Sequence, residues 1–448
     1  MLRRDIDEGE IGRAIAELSA DEPQTGQIAR FAWDSLTAGE GPSAITRARL
    51  QRWLWGFVPK RWAGRPDAWS AAATACAALF DALDEPAYAE ICRSDTTRAI
   101  HRAWRRSNRA GRTAMARAMT SSRTEPPPVD GLQWGTVFGS WEAGARKAVE
   151  RELESAIDGG RLVPGRRNAL DVARSVCADV VDAPHPEAIG QSWRSLIVTE
   201  RVDAWAGSHH ATAAQRRRRV DAAPHLLTPP DPPHGAELAE NLEPLRWLAE
   251  RCRGGVRLTA THRLPPAVAA EAAARFGWGP AGRPPRREDE VGQLGEVRET
   301  ARRLGICRRT GETLLTTATG RRLLDDPTSH WSRWTATLGG REPAEQGVAE
   351  VLALAVLEAG PGEGVDLLEA LSRPCDGHGE RAIDPVRDRA AIRASVERWR
   401  VWRLLDESAP ISERGWRVVR PASTLTGVGA AALVSWLHQQ ATRPPSRH

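Results

Sequence analysis

Apolar residues recur at helical spacing through much of this 448-residue chain, and this periodicity constrains the fold more than any other feature. In one stretch, Trp69, Ala73, Cys76, Phe80 and Leu83 follow one another at intervals of four, three, four and three residues. Residues with this spacing share one face of an α-helix. The chain has 18 tryptophans, and indoles interspersed among alanines on such faces are typical of core anchors. The sequence therefore predicts a mainly α-helical protein.

Two proline-rich segments interrupt the helical pattern. Residues 121–130 contain three consecutive prolines, and residues 221–235 contain five prolines. Proline has no N–H group to donate and its ring clashes with the preceding turn, so neither segment can continue a helix. We therefore expect one helical domain over residues 1–120 and a second over residues 131–220, with essentially no β-strand in either.

The C-terminal part, from about residue 236, has a different order of elements. Helical periodicity over residues 237–252 is followed by a short strand-like run over 256–259 and by helical patterns over 265–276 and 288–304. Two further short runs flank a turn at Thr310, Gly311 and Glu312. The order helix, strand, helix, helix, hairpin is that of a winged helix-turn-helix unit, which we expect over residues 236–340.

A weaker copy of the same pattern predicts a second winged-helix unit over residues 341–440. Residues 304–324 and 404–433 both run from a helix end through a hairpin to a threonine, a glycine and a helix of small residues. A long third helix is expected over residues 386–405. Thr316 and Gly320 in the first copy correspond to Thr426 and Gly429, or to residues next to them, in the second. The expected fold class is mainly α, with a helical N-terminal half and two winged-helix units that have short β-hairpins.

The pattern of a long helix, a hairpin, a threonine–glycine motif and a second helix resembles the tandem winged helices of bacterial transcriptional regulators of the PadR and MarR kind. The stretch from Gly255 (GVRLTATHRLPPAV) to Gly340 also resembles the C-terminal region of an uncharacterised plasmid-borne protein family of high-GC bacteria. These resemblances cover residues 236–440. They imply a fold and leave the function open, because winged helices serve both in DNA binding and in contacts between proteins.

The strongest concentration of charge lies in the N-terminal half. Between Arg93 and Arg123 there are nine arginines and one acidic residue, Asp95. Five of the nine are spaced four, three, four and three residues apart, which would place them on one face of a single helix, opposite Ile100 and Trp104. The residues of this predicted stripe are Arg98, Arg102, Arg105, Arg109 and Arg112, with Arg106 beside them.

A row of arginines with no carboxylate between them favours an external anion. Like charges one turn apart repel each other, so a merely solvated helix face usually mixes the two signs. Guanidinium groups match phosphate geometry, and the stripe therefore predicts contact with a nucleic-acid backbone. Two alternatives are an acidic surface, on a partner or on this chain's own domains, and a solvated face with no ligand. The basic run at residues 216–219 could extend the patch.

DNA contact is better supported in the second winged-helix unit than in the first. The third helix of the first unit is expected to begin with three acids at residues 288–290, where base contacts normally lie. The third helix and hairpin of the second unit instead carry many arginines. The nucleic-acid-binding residues predicted in the second unit are Arg393, Arg400, Arg414 and Arg417.

Recognisable catalytic and metal motifs are missing from the sequence. The six cysteines are scattered singly, without a CxxC pair. Residues 376–380 (DGHGE) gather metal-capable side chains, but their spacing is not specific for a metal. The sequence also has no phosphate-cradling loop, HExxH motif or nucleophile elbow. We expect no catalytic residue, no metal site and no cofactor.

The composition points to a cytoplasmic protein without a membrane partner. No run approaches the roughly 18–20 apolar residues that a membrane span needs, and no apolar segment follows the charged first residues. The favoured hypothesis is a non-enzymatic, nucleic-acid-associated protein. One alternative is an interaction scaffold within a multi-protein defence, mobile-element or chromosome-handling complex. Another is an enzyme with a dispersed acidic site.

Overall fold

The computed structural model describes residues 6–208, 211–279, 283–360, 363–372, 383, 387–407 and 423–444. These residues are mainly α-helical, which confirms the mainly α part of the expected fold class. The chain divides into two compact units, one formed by Met1–Ile197 with Pro444–His448 and the other by Val198–Arg443. None of the described helices is long and apolar enough to cross a membrane.

The first unit contains ten helices and the start of an eleventh among its described residues. They are α1 (Glu8–Asp21), α2 (Pro23–Thr37), α3 (Arg47–Arg52), α4 (Val58–Arg61), α5 (Pro66–Ala82), α6 (Pro86–Arg93), α7 (Asp95–Arg106), α8 (Asn108–Ser122), α9 (Ser140–Asp158), α10 (Ala169–Asp182) and α11 (Trp193–Ala206), in which the unit boundary falls. A π-helical turn, Trp53–Phe57, joins α3 to α4. The described part of residues 1–220 has no β-strand, as predicted, and contains two isolated β-bridges.

Two apolar cores form within the first unit. Buried side chains from residues 6–119 make the larger core, and buried side chains from residues 132–197 make the smaller one. The proline-rich segment 121–130 lies between them in sequence. Ion pairs of Arg47 with Glu154 (2.8 Å) and of Arg52 with Glu150 (2.7 Å) connect α3 to α9. Burial and ion pairing therefore both fix the position of α3 within the unit.

The second unit combines helices with two small antiparallel sheets. Its helices are α12 (Ala213–Ala222), α13 (Gly235–Asn241), α14 (Glu243–Arg251), α15 (Pro266–Phe276), α16 (Gly292–Arg303), α17 (Ala318–Asp325), α18 (Trp331–Thr335), α19 (Pro343–Ala359), α20 (Leu367–Ser372), α21 (Arg389–Val401) and α22 (Gly427–Ala441). Its strands are β1 (Val256–Arg257), β2 (Cys307–Thr310), β3 (Thr313–Thr316), β4 (Leu405–Glu407) and β5 (Ser423–Leu425). The sheet orders are β1-β3-β2 and β4-β5.

The proline-rich segment 221–235 does not coincide with the boundary between the compact units. Ala222 and Leu226 lie in the core of the second unit together with Leu238 and Leu242. The carbonyl oxygen of Leu226 also lies 2.8 Å from Nδ1 of His438 on α22. The prolines therefore bend the chain within one unit, because the apolar residues on either side of them share a core.

Three expected helices of the C-terminal part differ from the periodicity, and one of them, expected over residues 386–405, ends at Val401, with Leu405 in β4. Residues 237–252 form α13 and α14, which meet at Leu242 just before Pro244. The acids at 288–290 form a separate 3-10 turn, Glu288–Glu290, and α16 begins only at Gly292. Glu288 is buried, where it pairs with Arg298 (2.9 Å) and accepts a hydrogen bond from the Leu264 amide (2.7 Å). The acids therefore do not form the first turn of that helix.

The second unit repeats one local structure at α16–β2–β3–α17 and at α21–β4–β5–α22. Thr317 caps α17 by accepting a hydrogen bond from the Gly320 amide (3.1 Å), and Thr426 caps α22 by accepting one from the Gly429 amide (3.0 Å). A Cβ atom on either glycine would collide with a backbone carbonyl, that of Ile306 or of Leu404. The structural partner of Thr426 is thus Thr317. It lies one residue after Thr316, because the capping geometry sets the register of the two copies.

Candidate nucleic-acid interface

The arginine-rich segment forms two helices, and the prediction of a single striped helix was wrong. Ser107 separates α7 from α8 and has extended backbone angles (φ −172°, ψ 157°). Its hydroxyl oxygen caps α8 by accepting a hydrogen bond from the Ala110 amide (3.1 Å). Serine competes in this way with the helical hydrogen-bond ladder. The stripe is therefore divided between two helices that pack against each other as a helical hairpin.

A glycine permits the close packing of this hairpin. Gly111 on α8 is buried, and a Cβ atom there would overlap the indole ring of Trp104 on α7. Trp104 is itself buried, and its Nε1–H donates to the carbonyl oxygen of Trp55 (2.8 Å). The indole is thus held on both sides and cannot easily give way to a larger residue.

The inner face of α7 is fixed to the π-helical turn Trp53–Phe57. The Trp55 Nε1–H donates to the Thr97 hydroxyl (2.8 Å), and Nε2 of His101 lies 3.1 Å from the Leu54 carbonyl oxygen. Burial lowers the pKa of His101, with a smaller effect from the positive charge of Arg105. Side chains of α7 thus lie within hydrogen-bond distance of two backbone carbonyl oxygens of this turn, those of Leu54 and Trp55. Because the inner face is anchored, the arginines of α7 are directed away from the core.

All six predicted stripe residues are exposed. Arg98 is engaged, since it pairs with Asp95 (2.7 Å). Arg102 and Arg105 on α7 form no ion pair with any carboxylate of the described residues, and the same holds for four more arginines of the hairpin. These four are Arg106, Arg109, Arg112 and Arg117. Sequence reasoning counted Arg117 in the basic run but missed it as a site residue, because it lies off the assumed single-helix face.

The sequence of the hairpin explains why these charges remain unpaired. From Thr96 to Thr124 the chain has eight arginines and no aspartate or glutamate. Arg109 and Arg112 also lie in the first turns of α8, where the helix dipole favours acids and disfavours cations. The electrostatic cost of this arrangement would fall if an anion bound at the hairpin. We call the six unpaired arginines (Arg102, Arg105, Arg106, Arg109, Arg112 and Arg117) the hairpin arginines.

Two shallow depressions adjoin the hairpin. The smaller one, of about 410 Å³, is lined by residues around Ser107 and by the first half of α8. The larger one, of about 770 Å³, is lined by residues of α3, the π-helical turn, α6, α7 and α8. Arg106, Ala114 and Arg117 line both depressions, which therefore adjoin each other, and we call the two together the groove. Arg102, Arg105 and Arg112 lie outside it.

The site residues predicted on α21 differ in their availability. Arg393 is exposed and has no carboxylate partner among the described residues. Arg400 instead pairs with Glu397 (3.2 Å), and its side chain is 21% exposed. Arg414 and Arg417 lie outside the described residues, as does the loop at 376–380. No group of histidine, cysteine and acidic side chains that could hold a metal ion occurs in the described part of the chain.

The third helices of the two expected winged units pack against each other. α16 contacts α21, and Arg398 of α21 pairs with Glu296 of α16 (3.3 Å) and with Glu345 of α19 (3.0 Å). The Arg398 side chain is only 11% exposed. In helix-turn-helix proteins the corresponding helix enters the major groove. Here part of the surface of each third helix is covered by the other.

Two arginines of the basic run at residues 216–219 form ion pairs within the second unit. Arg218 pairs with Glu358 (2.5 Å), and Arg219 pairs with Glu350 (2.8 Å) and stacks over Trp205. Both carboxylates belong to α19, which packs against α12. These two arginines therefore help to hold the second unit together.

The second unit has further exposed arginines, outside the set predicted to bind nucleic acid. Arg303 at the end of α16, and Arg308 and Arg309 on the edge strand β2, are exposed and have no carboxylate partner among the described residues. Arg302 instead pairs with Glu299, and this pairing lowers the pKa of Glu299 to about 2. Residues 236–340 thus present more unpaired arginines than the acids at 288–290 suggested.

No protein-family model, curated protein or solved structure matches the chain.

Proposed function

We propose that this protein binds the phosphate backbone of nucleic acid through the hairpin arginines and has no catalytic role of its own. The observation that carries the proposal is the set of six exposed guanidinium groups on one helical hairpin, in a segment of 29 residues that contains eight arginines and no acid. Phosphate oxygens accept forked hydrogen bonds from guanidinium. Binding would also release the counterions condensed on the nucleic acid.

We further propose that residues 236–340 and 341–440 are two winged-helix units. In support, the first has the order α14, β1, α15, α16, β2, β3, with β3 in the centre of its sheet. In the second, an isolated bridge between Asp366 and Thr424 takes the place of the first strand. Because α16 and α21 partly cover each other, we assign these units to positioning or to recruitment of a protein partner more than to base reading. Arg393, Arg303, Arg308 and Arg309 remain available for phosphate contacts.

The test removes three hairpin arginines that lie outside the groove. In R102Q/R105Q/R112Q the helices should persist, since glutamine is nearly as good a helix former as arginine. For each phosphate contact, log K rises by about 0.9 when the salt concentration falls tenfold, for example from 1 M to about 0.1 M. The variant should therefore bind a random-sequence duplex up to about 500-fold more weakly at 0.1 M salt. The loss should be similar for a second, unrelated duplex, because phosphates carry no base information.

A matched control separates local contact from net charge. Arg161, Arg166 and Arg167 are also exposed arginines of the first unit without a described carboxylate partner, and they lie outside the hairpin. R161Q/R166Q/R167Q removes the same charge and should change affinity much less. Equal losses in the two triple variants would mean that only overall charge matters. A folded hairpin variant with wild-type affinity would contradict the proposal and favour the scaffold function.

A further inference from the structure

The groove beside the hairpin has an apolar floor and a cationic rim. Its larger part is floored by Ile91, Ile100, Ala103 and Ala118, among other residues, and Ala99 is exposed at its side. Arg106 and Arg117 stand where the larger and smaller parts meet. A ligand that fills this groove must therefore carry both anionic groups and flat or apolar groups.

We propose that the groove receives the bases of single-stranded nucleic acid while Arg106, Arg109 and Arg117 hold its phosphates. This inference rests on the proposed function and adds that the nucleic acid is single-stranded. A single strand offers unpaired bases to an apolar floor together with a phosphate at every nucleotide. A duplex keeps its bases stacked inside, so it can use the hairpin arginines but has nothing to place on the floor.

One acidic residue in the groove favours a nucleic-acid strand over an acidic peptide. Glu90 on α6 lines the larger part, and it has no ion-pair partner among the described residues. Its carboxylate can accept hydrogen bonds from the Watson–Crick edge of a base, which is where single-strand proteins commonly read. The ionised side chains of an acidic peptide have no such donors and would be repelled at this point. Arg47, which also lines the groove, is already neutralised by Glu154 and Asp158.

Filling the groove with aliphatic side chains tests the inference. Leucine at Ala99 and Ala118 adds bulk on α7 and α8 without changing charge, and leucine favours helix. We expect A99L/A118L to bind oligo(dT) of about 16 nucleotides roughly tenfold more weakly, which is near the lower end of the loss measured for one stacked base. Affinity for a duplex of the same length should stay unchanged, because the hairpin arginines outside the groove are intact.

The matched control is A116L, since Ala116 is an exposed alanine of α8 that lines neither part of the groove. It should leave both affinities unchanged. Ala118 is partly buried against the core, so A99L alone, at an exposed position, serves if the double variant does not fold. It should weaken oligo(dT) binding selectively.

The outcomes separate this inference from the proposed function. If A99L and A99L/A118L bind oligo(dT) as well as wild type while duplex binding remains salt-dependent, the groove inference is wrong and phosphate binding stands. If wild type binds neither probe, the proposed function fails as well. If poly-glutamate binds as tightly as oligo(dT) and A99L/A118L weakens it equally, the occupant is an acidic peptide and the inference is overturned.

Discussion

Replacing Gly111 with alanine distinguishes two descriptions of the arginine-rich segment. In a single continuous helix, glycine is the weakest ordinary residue, and alanine should stabilise the protein by about 0.5–1 kcal/mol. In the hairpin, the added Cβ overlaps the buried indole of Trp104, which is held by its hydrogen bond to Trp55. Overpacking of this kind typically costs about 1–3 kcal/mol. The structure therefore predicts the opposite sign.

Thermal unfolding measures how much G111A changes the stability of the protein. For a unit of roughly 200 residues, 1 kcal/mol corresponds to about 2–4 °C in Tm. G111A should thus lower the Tm of the first unit by about 2–12 °C. The control is G12A in α1, where nothing lies near the added Cβ, and it should raise the Tm by about 1–4 °C. A G111A variant as stable as G12A would refute the close packing of α7 on α8 and restore the single helix.

Two further predictions follow from buried side chains. Burial lowers the pKa of His101, His330 and His438. As the pH falls below about 6.5, these histidines therefore take up protons in the unfolded chain before they do so in the folded protein. The free energy of unfolding should then decrease by up to about 1.4 kcal/mol per pH unit for each histidine. A urea midpoint that is constant between about pH 7 and pH 5 would contradict this. Five cysteines are free and buried (Cys76, Cys92, Cys177, Cys252 and Cys307), and burial raises the pKa of Cys177 to about 12. In a C375S variant, thiol reagents should therefore react slowly until the protein is unfolded, whereas rapid reaction of the native variant would show that the thiols are accessible.

Local signals in the sequence predicted much of the fold. The helical class follows from the periodicity of apolar residues, and the turn at Gly311 and Glu312 joins β2 to β3 where a hairpin was expected. The break at Ser107 also had a local signal, because Ser107 and Asn108 are residue types that favour helix caps. The prediction of one continuous helix relied instead on the regular spacing of the arginines. A serine followed by asparagine inside a basic run should count as a potential N-cap.

Long-range contacts explain what the sequence could not predict. The Arg398 side chain is engaged by carboxylates 102 and 53 residues away, and Arg219 by one 131 residues away. No local pattern marks these arginines as paired, because their partners come from other helices. For the hairpin arginines the sequence shows only that no acid lies nearby in the chain, and the structure adds that no distant carboxylate of the described residues pairs with them.

The salt dependence of duplex binding tests the central claim most directly. If the hairpin arginines contact phosphates, the slope of log K against log salt should be flatter by about 2.7 in R102Q/R105Q/R112Q than in wild type, which is 0.9 for each lost contact. The control R161Q/R166Q/R167Q should keep the wild-type slope. Parallel lines for wild type and a folded hairpin variant would show that these arginines release no counterions, and the account of a phosphate-binding hairpin would then be wrong.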